Sequence, residues 1–280
     1  IIAWRVVCVC VCVCVIGSGE ELWGRVTMDG VVDFFRGFDY PSPVGLCLGL
    51  LSVLVMQIVV VVYHYVHSFH MHAVPVQKAL PERHFWQDLK GHFMRPEGFA
   101  LLGTYLTVTW MFRLLPATYY SFEGGVNVWQ VALQLMSIDF LQAVMHMGEH
   151  KISSAFYRVS HKPHHRFINP KLFDAFDGST ADTIFMILVP LFITAHLVHC
   201  NVWSYMAFGS TYAAWLTLIH SEFAHPWDSI FLKLGLGTAA DHHVHHKLFI
   251  FNFGHLFMWW DWIAGTYRSP TDVKAFSKDI

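Results

Sequence analysis

The chain has 280 residues, 55% hydrophobic, 16% aromatic and only 14% charged, with a mean hydropathy of +0.42. Soluble domains carry about 25% charged residues, so this composition excludes an ordinary soluble globule and points to a membrane protein. Eighteen Lys and Arg against 20 Asp and Glu give a formal charge of -2, without the basic excess that would hold a nucleic acid.

Residues 1–43 read as a low-complexity segment. Four of the six cysteines alternate in VVCVCVCVCVI as Cys8, Cys10, Cys12 and Cys14, with no C-x-x-C pair and no disulfide-framework spacing. Arg5, the apolar run and Gly17-Ser18-Gly19 also resemble a short signal or anchor, and a chain opening on Ile1 reads as a fragment or as carrying an unreliable first segment.

Crossing a bilayer with every backbone hydrogen bond closed inside the segment takes roughly 17 to 25 mostly apolar residues. Five segments meet or approach this: Val44 to Val62, Phe99 to Leu115, Val126 to Met145, Thr183 to His199 and Val202 to Ile219. The second and fourth are short, and Arg113, Asp139 and Pro190 interrupt the apolar character. The second and third read as a hairpin across a turn holding Gly124-Gly125, the fourth and fifth as one across His199 to Asn201. Leu248 to Ala264 is rich in Phe and Trp but contains Asn252, His255 and Asp261, which suits an interfacial helix better than a sixth span.

The expected fold is therefore all-α, a multi-pass membrane helical bundle of four to five spans with a cytosolic histidine-rich cap. Its expected divisions are an N-terminal segment 1–43, N-terminal spans 44–125, a histidine-box domain 126–270 and a tail 271–280. Lys and Arg collect in residues 67–98, 151–179 and after Ile219, and are absent from the turns 116–125 and 200–201. Cytoplasmic loops retain such residues, so the basic side is assigned to the cytosol.

Histidine numbers 20, more than Lys and Arg together. Its titration near neutrality and its use as a metal ligand make it the residue type to follow. His146 and His150 form H-x-x-x-H at the cytosolic end of the third span, and the i, i+4 spacing puts both rings on one helix face. His161, His164 and His165 form H-x-x-H-H in SHKPHH, on the loop after that span. His220 closes the fifth span, and His242, His245 and His246 repeat H-x-x-H-H in DHHVHH. Hydropathy and Lys/Arg counts alone thus bring all nine to one membrane face. Nine imidazoles exceed what one ion takes, so two metals are implied. Imidazole suits Zn, Cu, Fe and Ni, and the lack of thiolate ligands argues against an iron-sulfur cluster.

Glu149, Glu222, Asp241 and Asp139 are candidates to orient ring N–H groups, with a helix-helix hydrogen bond as the equal alternative for Asp139. His64, His67, His70, His72, His84, His92, His196, His199, His243 and His255 read as solvated or packing residues, and His225 as closer to a solvated loop residue than to a tenth ligand.

At these residues the chain resembles the fatty acid hydroxylase and sterol desaturase superfamily of membrane di-iron enzymes, over roughly residues 130 to 270. The resemblance rests on H-x-x-x-H, SHKPHH, the histidine closing the last span, HHVHH, and the downstream NFG and WWDWIAGTYR. In wording it is closest to the C-5 sterol desaturase and C-4 methylsterol oxidase branches. One departure is FDAFDGS, where Phe176 precedes Asp177-Gly178 and sterol C-5 desaturases tend to carry histidine, so fatty acid hydroxylation stays open beside a sterol reaction.

The resemblance implies two Fe ions at the cytosolic face of the endoplasmic reticulum membrane, held by the nine histidines named. It also implies hydroxylation or desaturation of a lipid, sterol or fatty acyl, with O2 and two electrons. Those electrons would come from NAD(P)H through cytochrome b5 or its reductase. The sequence has no Gly-rich dinucleotide loop and no haem-binding domain, so the donor is expected to be a separate protein. Two rival readings compete. His146-x-x-Glu149-His150 also fits an inverted zinc-peptidase signature with Glu149 as general base, and a histidine-rich metal transporter would use similar ligands distributed at mid-membrane depth.

Overall fold

Residues 44–62 contain no charged side chain and no Pro, and nothing after them breaks a helix until Pro75. In the computed structural model, which describes residues 43–278 and 280, they lie within a 28-residue helix, α1, Pro43–His70. The alternating-cysteine run and the anchor-like segment fall outside the described residues.

The remaining helices are α2 (Phe85–Met94), α3 (Leu101–Met111), α4 (Val128–Lys151), α5 (Ser154–Val159), α6 (Thr180–Leu197), α7 (Val202–Leu218), α8 (Asp228–Leu234), α9 (Ala239–Leu248) and α10 (Trp259–Ala264). Among the described residues only isolated β-bridges occur and no strands, so the all-α expectation holds. α1, α4 and α6 are long and apolar enough to cross a membrane.

α7 is the central helix, packed on α1 and α4, while α4 packs on α6 and α3 on α1. Tyr119, Tyr205, Phe208 and Ile138 fill the core between them. The outward faces of α1 and α4 expose Leu51, Val55, Ile58, Val62, Leu133, Phe140 and Val144, the belt of apolar side chains that lipid covers. This is a membrane helical bundle.

Two expected elements take a different form. The second expected span is the 11-residue α3, entered through an irregular turn, Pro96–Ala100, whose Gly98 leaves helical geometry at φ -95, ψ -108. Pro96 and Gly98 break the helix there, and 11 residues rise only about 17 Å. The expected interfacial helix Leu248 to Ala264 is mostly a buried loop. Phe249 and Asn252 adopt positive φ, Phe253, His255 and Leu256 are buried, and helix returns only in the six residues of α10.

The hairpin between α6 and α7 is as tight as expected, and Asn201 caps α7 by accepting the Ser204 N–H. The last residues also pack: Phe276 lies buried against Val76, Ala240 and Val244.

Candidate metal centre

Each histidine owes its position to a local device. Asn127 caps α4 at its start, and about five turns later His146 and His150 project side by side from its last turns. Ser153 caps α5, and the chain then closes helix-like bonds from His164 and His165 N–H to His161 C=O, so this H-x-x-H-H behaves as one helical turn. The Thr238–Asp241 capping box starts α9, which carries the second H-x-x-H-H. His220 sits just past the end of α7, its Nδ1–H donated to Leu216 C=O at 2.7 Å.

The nine rings fall into two groups. His146, His150, His161, His165 and His245 form one and His164, His220, His242 and His246 the other, with all ligand atoms in a group within 4.8 Å of one another. The two H-x-x-H-H motifs are used reciprocally. His161 and His165 enter the first group while His164 enters the second; His242 and His246 enter the second while His245 enters the first. A spacing of i, i+4 keeps two rings on one face and i+3 turns the third aside, so each motif can serve two adjacent centres. Rings of the two groups stand close, with His165 and His246 centroids 4.9 Å apart.

The tautomers identify what the groups are built to hold. His146 Nδ1 faces Phe253 C=O at 2.9 Å, His161 Nδ1 the Asp182 carboxylate at 2.7 Å, and His245 Nδ1 Phe251 C=O at 2.8 Å. His164 Nδ1 faces Asp177 C=O at 3.1 Å. In each, and in His220, Nδ1 must be the N–H that donates, which leaves Nε2 of a neutral ring as a bare lone pair.

These lone pairs point at one another. His146 and His161 Nε2 are 2.8 Å apart and His220 and His164 Nε2 3.2 Å apart. Facing lone pairs repel, unless a cation lies between them. Nitrogens about 2.1 Å from a common ion stand about 3.0–3.4 Å apart at octahedral or tetrahedral angles, so the spacing suits shared metal ions.

Burial, followed by the neighbouring imidazoles, pushes His161, His165, His242 and His246 well below the ordinary imidazole range, and burial also lowers His164, His220 and His245. The neutral ring is the form that ligates. His225 and His243 are pushed down by burial to about 4 and His255 to about 3. A folded value below the 6.5 of the free ring means the unfolded chain binds more protons between the two values, so stability is full above pH 6.5 and lost as pH falls toward 4. Asp228, Asp174 and Asp241, raised by burial to about 7, about 6 and about 6, act oppositely but are outnumbered. Accordingly, the melting temperature in detergent is expected to drop steadily from pH 6.5 to pH 4; a flat profile would contradict the buried neutral rings.

The other histidines stay outside both groups. His64 lies 3.5 Å from Glu222, His67 donates to Ala224 C=O and His92 to Gln57 Oε1, while His70, His72, His84, His196 and His199 are exposed. His243 Nδ1 accepts from Gln77. His225 is not a solvated loop residue: it is buried, accepting from the Tyr63 hydroxyl and donating to Leu218 C=O.

The acids are redistributed. Asp139 bonds no histidine ring but does join two helices, α4 and α10, through the Trp260 indole. It accepts the N–H groups of His255, Leu256 and Phe257 and the Trp260 indole N–H, and so fixes the loop that supplies Phe253 C=O. Glu222 pairs with His64 and Arg83, and Asp241 serves the capping box. Glu149 lies 3.6 Å from His161 Nδ1, on the side of the ring away from Nε2, beside Asp182.

Asp182 escaped the sequence reading. It holds His161, and S-T-A-D from Ser179 to Asp182, a capping-box pattern before an apolar run, was the available signal. His255, read as a solvated or packing residue, does pack, against one ring of each group: it stacks on His146 at 5.2 Å and lies 5.2 Å from His242. Asp182→Asn should cost 10–100-fold in metal affinity by loosening the His161 tautomer. Metal titration of the variant tests this, and unchanged affinity would remove Asp182 from the centre.

Comparison with known proteins agrees with this geometry. A family model described as fatty acid hydroxylase matches residues 131–266. The chain is 56% identical over 236 residues to the alternative squalene epoxidase of Phaeodactylum tricornutum, covering 82% of this chain and 68% of that protein. It is 30% identical over 182 residues to the Delta(7)-sterol 5(6)-desaturase of Leptosphaeria maculans, 62% of this chain and 48% of that protein. It is 26% identical over 192 residues to methylsterol monooxygenase erg25B of Aspergillus fumigatus, 63% of each. The chain thus spans about half the length of the sterol desaturase. No solved structure matches.

Proposed function

Because the chain belongs to the fatty acid hydroxylase and sterol desaturase superfamily and is an oxygen-dependent lipid oxidoreductase of the membrane, we propose that it epoxidises an acyclic isoprenoid alkene of the squalene type. Two iron ions would be held by the five- and four-histidine groups, in a histidine-box domain spanning residues 126–270. The observation that carries the reading is the convergence of Nδ1-anchored imidazoles, lone pairs inward, in two adjoining groups. The choice of alkene over sterol follows the 56% identity to a squalene epoxidase against about 30% or less to the sterol enzymes.

In the reaction one oxygen atom of O2 adds across a carbon–carbon double bond and the other leaves as water, consuming two electrons and two protons. Bound iron supplies the activation of O2 and the redox capacity that no side chain has. The protein supplies placement. Asp182 and the carbonyls of Leu216, Phe251, Phe253 and Asp177 fix ring orientation.

A small cleft touches His161 of the first group and His164 and His220 of the second, so the end of a bound chain meets both groups from one side. The basic loops support a cytosolic position for this side, and in this reading the membrane is that of the endoplasmic reticulum and NAD(P)H electrons would arrive through a separate donor of the cytochrome b5 or reductase kind. Ligands gathered at one end of the helices, and a Glu149 turned away from Nε2, favour this reading over a transporter or a peptidase.

The test is turnover of squalene by purified full chain with reductant, reductase, cytochrome b5 and ¹⁸O2. An epoxide carrying one ¹⁸O is expected. A label-free epoxide would overturn O2 as the source of the oxygen, and conversion of a Delta(7)-sterol or fatty acyl lipid alone would overturn the choice of substrate.

A further inference from the structure

A second space adjoins the histidine cavity. It is a groove between α1, α3, α6 and α7, lined by side chains such as Leu46, Val53, Leu106 and Leu191 and by no charged residue. Its polar atoms are largely spent: the Ser52 hydroxyl donates to Gly49 C=O and the Tyr212 hydroxyl accepts from Gln142. Such walls hold an occupant by apolar burial, at about 25 cal/mol per Å², and give a carboxylate or phosphate headgroup no partner.

Groove and histidine cavity share three lining residues, Phe176, Ile187 and Leu216. Anything passing from one to the other passes these side chains. Phe176 is held from several sides. Its ring lies 5.2 Å from that of Phe99 and 5.5 Å from that of His92. Its Cβ lies so near Gly98 that a Cβ added there would stand 2.9 Å from it. Its neighbour Asp177 is clamped by Arg95 and Arg166.

We propose that Phe176, with Ile187 and Leu216, forms a selectivity throat that passes the narrow end of an acyclic isoprenoid hydrocarbon into the histidine cavity and refuses a fused-ring one. This rests on the reading of the centre as a lipid-oxidising one and narrows its substrate class. An acyclic chain is only a methyl-branched methylene thick at its end, whereas four fused rings present their full width at once and cannot fold past a fixed phenyl ring. Packed interiors resist such displacement.

Two saturated hydrocarbons that cannot be epoxidised, squalane and cholestane, separate the throat from the chemistry. Added in mixed micelles to the purified full chain, squalane is expected to raise the melting temperature by several degrees and cholestane by less than about one degree. In Phe176→Ala the cholestane shift should approach that of squalane. Phe176→Leu, a milder change in case alanine does not fold, should fall between.

With squalene and a Delta(7)-sterol competing, the ratio of oxidised squalene to oxidised sterol should fall about tenfold in Phe176→Ala. A structural lesion would lower both products together and leave that ratio unchanged. Equal shifts by the two hydrocarbons in the native chain, or unaltered selectivity in both variants, would overturn the throat. A squalane-selective shift without any squalene oxidation upholds the throat and instead overturns the proposed reaction.

Discussion

His220→Ala is expected to lower bound iron from about two per chain to about one and to abolish turnover, a loss well beyond the 10–100-fold typical of a residue that only orients a ligand. His220 is one of four rings in its group, and its Nε2 touches two others, His164 at 3.2 Å and His242 at 3.0 Å. Removing it leaves three rings at that centre and five intact at the other.

The matched control is His243→Ala. His243 neighbours His242 in sequence and is fully buried, but its Nδ1 is engaged by Gln77, so both irons and most activity should remain. Elemental analysis and product formation on the two purified variants decide the matter. Equal loss in both would mean that burial of histidine, and not ligation, is what the region requires.

Asp139→Ala carries the largest expected cost in stability. One carboxylate inside α4 accepts four N–H groups: Oδ1 from His255 and Leu256, Oδ2 from Phe257 and the Trp260 indole. Leaving buried donors unpaired costs about 1–3 kcal/mol each, so about 4 kcal/mol or more is lost from a total that is only about 5–15 kcal/mol for a typical domain. A fall in melting temperature of about 10 °C follows.

The damage also reaches the metal centre, because the freed loop carries the Phe253 carbonyl that orients His146 and follows the Phe251 carbonyl that orients His245. Asp139→Asn should be milder, since its remaining oxygen can keep two of the four donors. A drop of less than about 2 °C in the alanine variant would show that the loop is held by something else.

How much of this could be read in the sequence depended on the range of the geometry involved. His146-x-x-x-His150 and the two H-x-x-H-H motifs encode ring placement within one or two helical turns, and all nine named histidines fall into the two groups. Which ring joins which group was not legible, because it depends on how α4, α9 and the loop before α6 meet.

Asp182 was missed for the same reason: its capping pattern marks a helix start, but that it meets His161, 21 residues away, is a matter of tertiary packing. The aromatic run after Leu248 has the composition of an interfacial helix, yet Asn252 at positive φ holds Asp241 C=O and Arg268 C=O, and Asp139 collects the amides beyond it. Tertiary hydrogen bonds overrode local propensity there. The long apolar runs of α1 and α4 required no such information.

The central claim is that these imidazoles cradle two adjacent iron ions. Iron-57 Mössbauer spectroscopy with elemental analysis of the purified full chain tests it most directly. About two irons per chain in neighbouring nitrogen-rich sites are expected. A single zinc per chain, with no oxygen uptake when lipid and electrons are supplied, would contradict it.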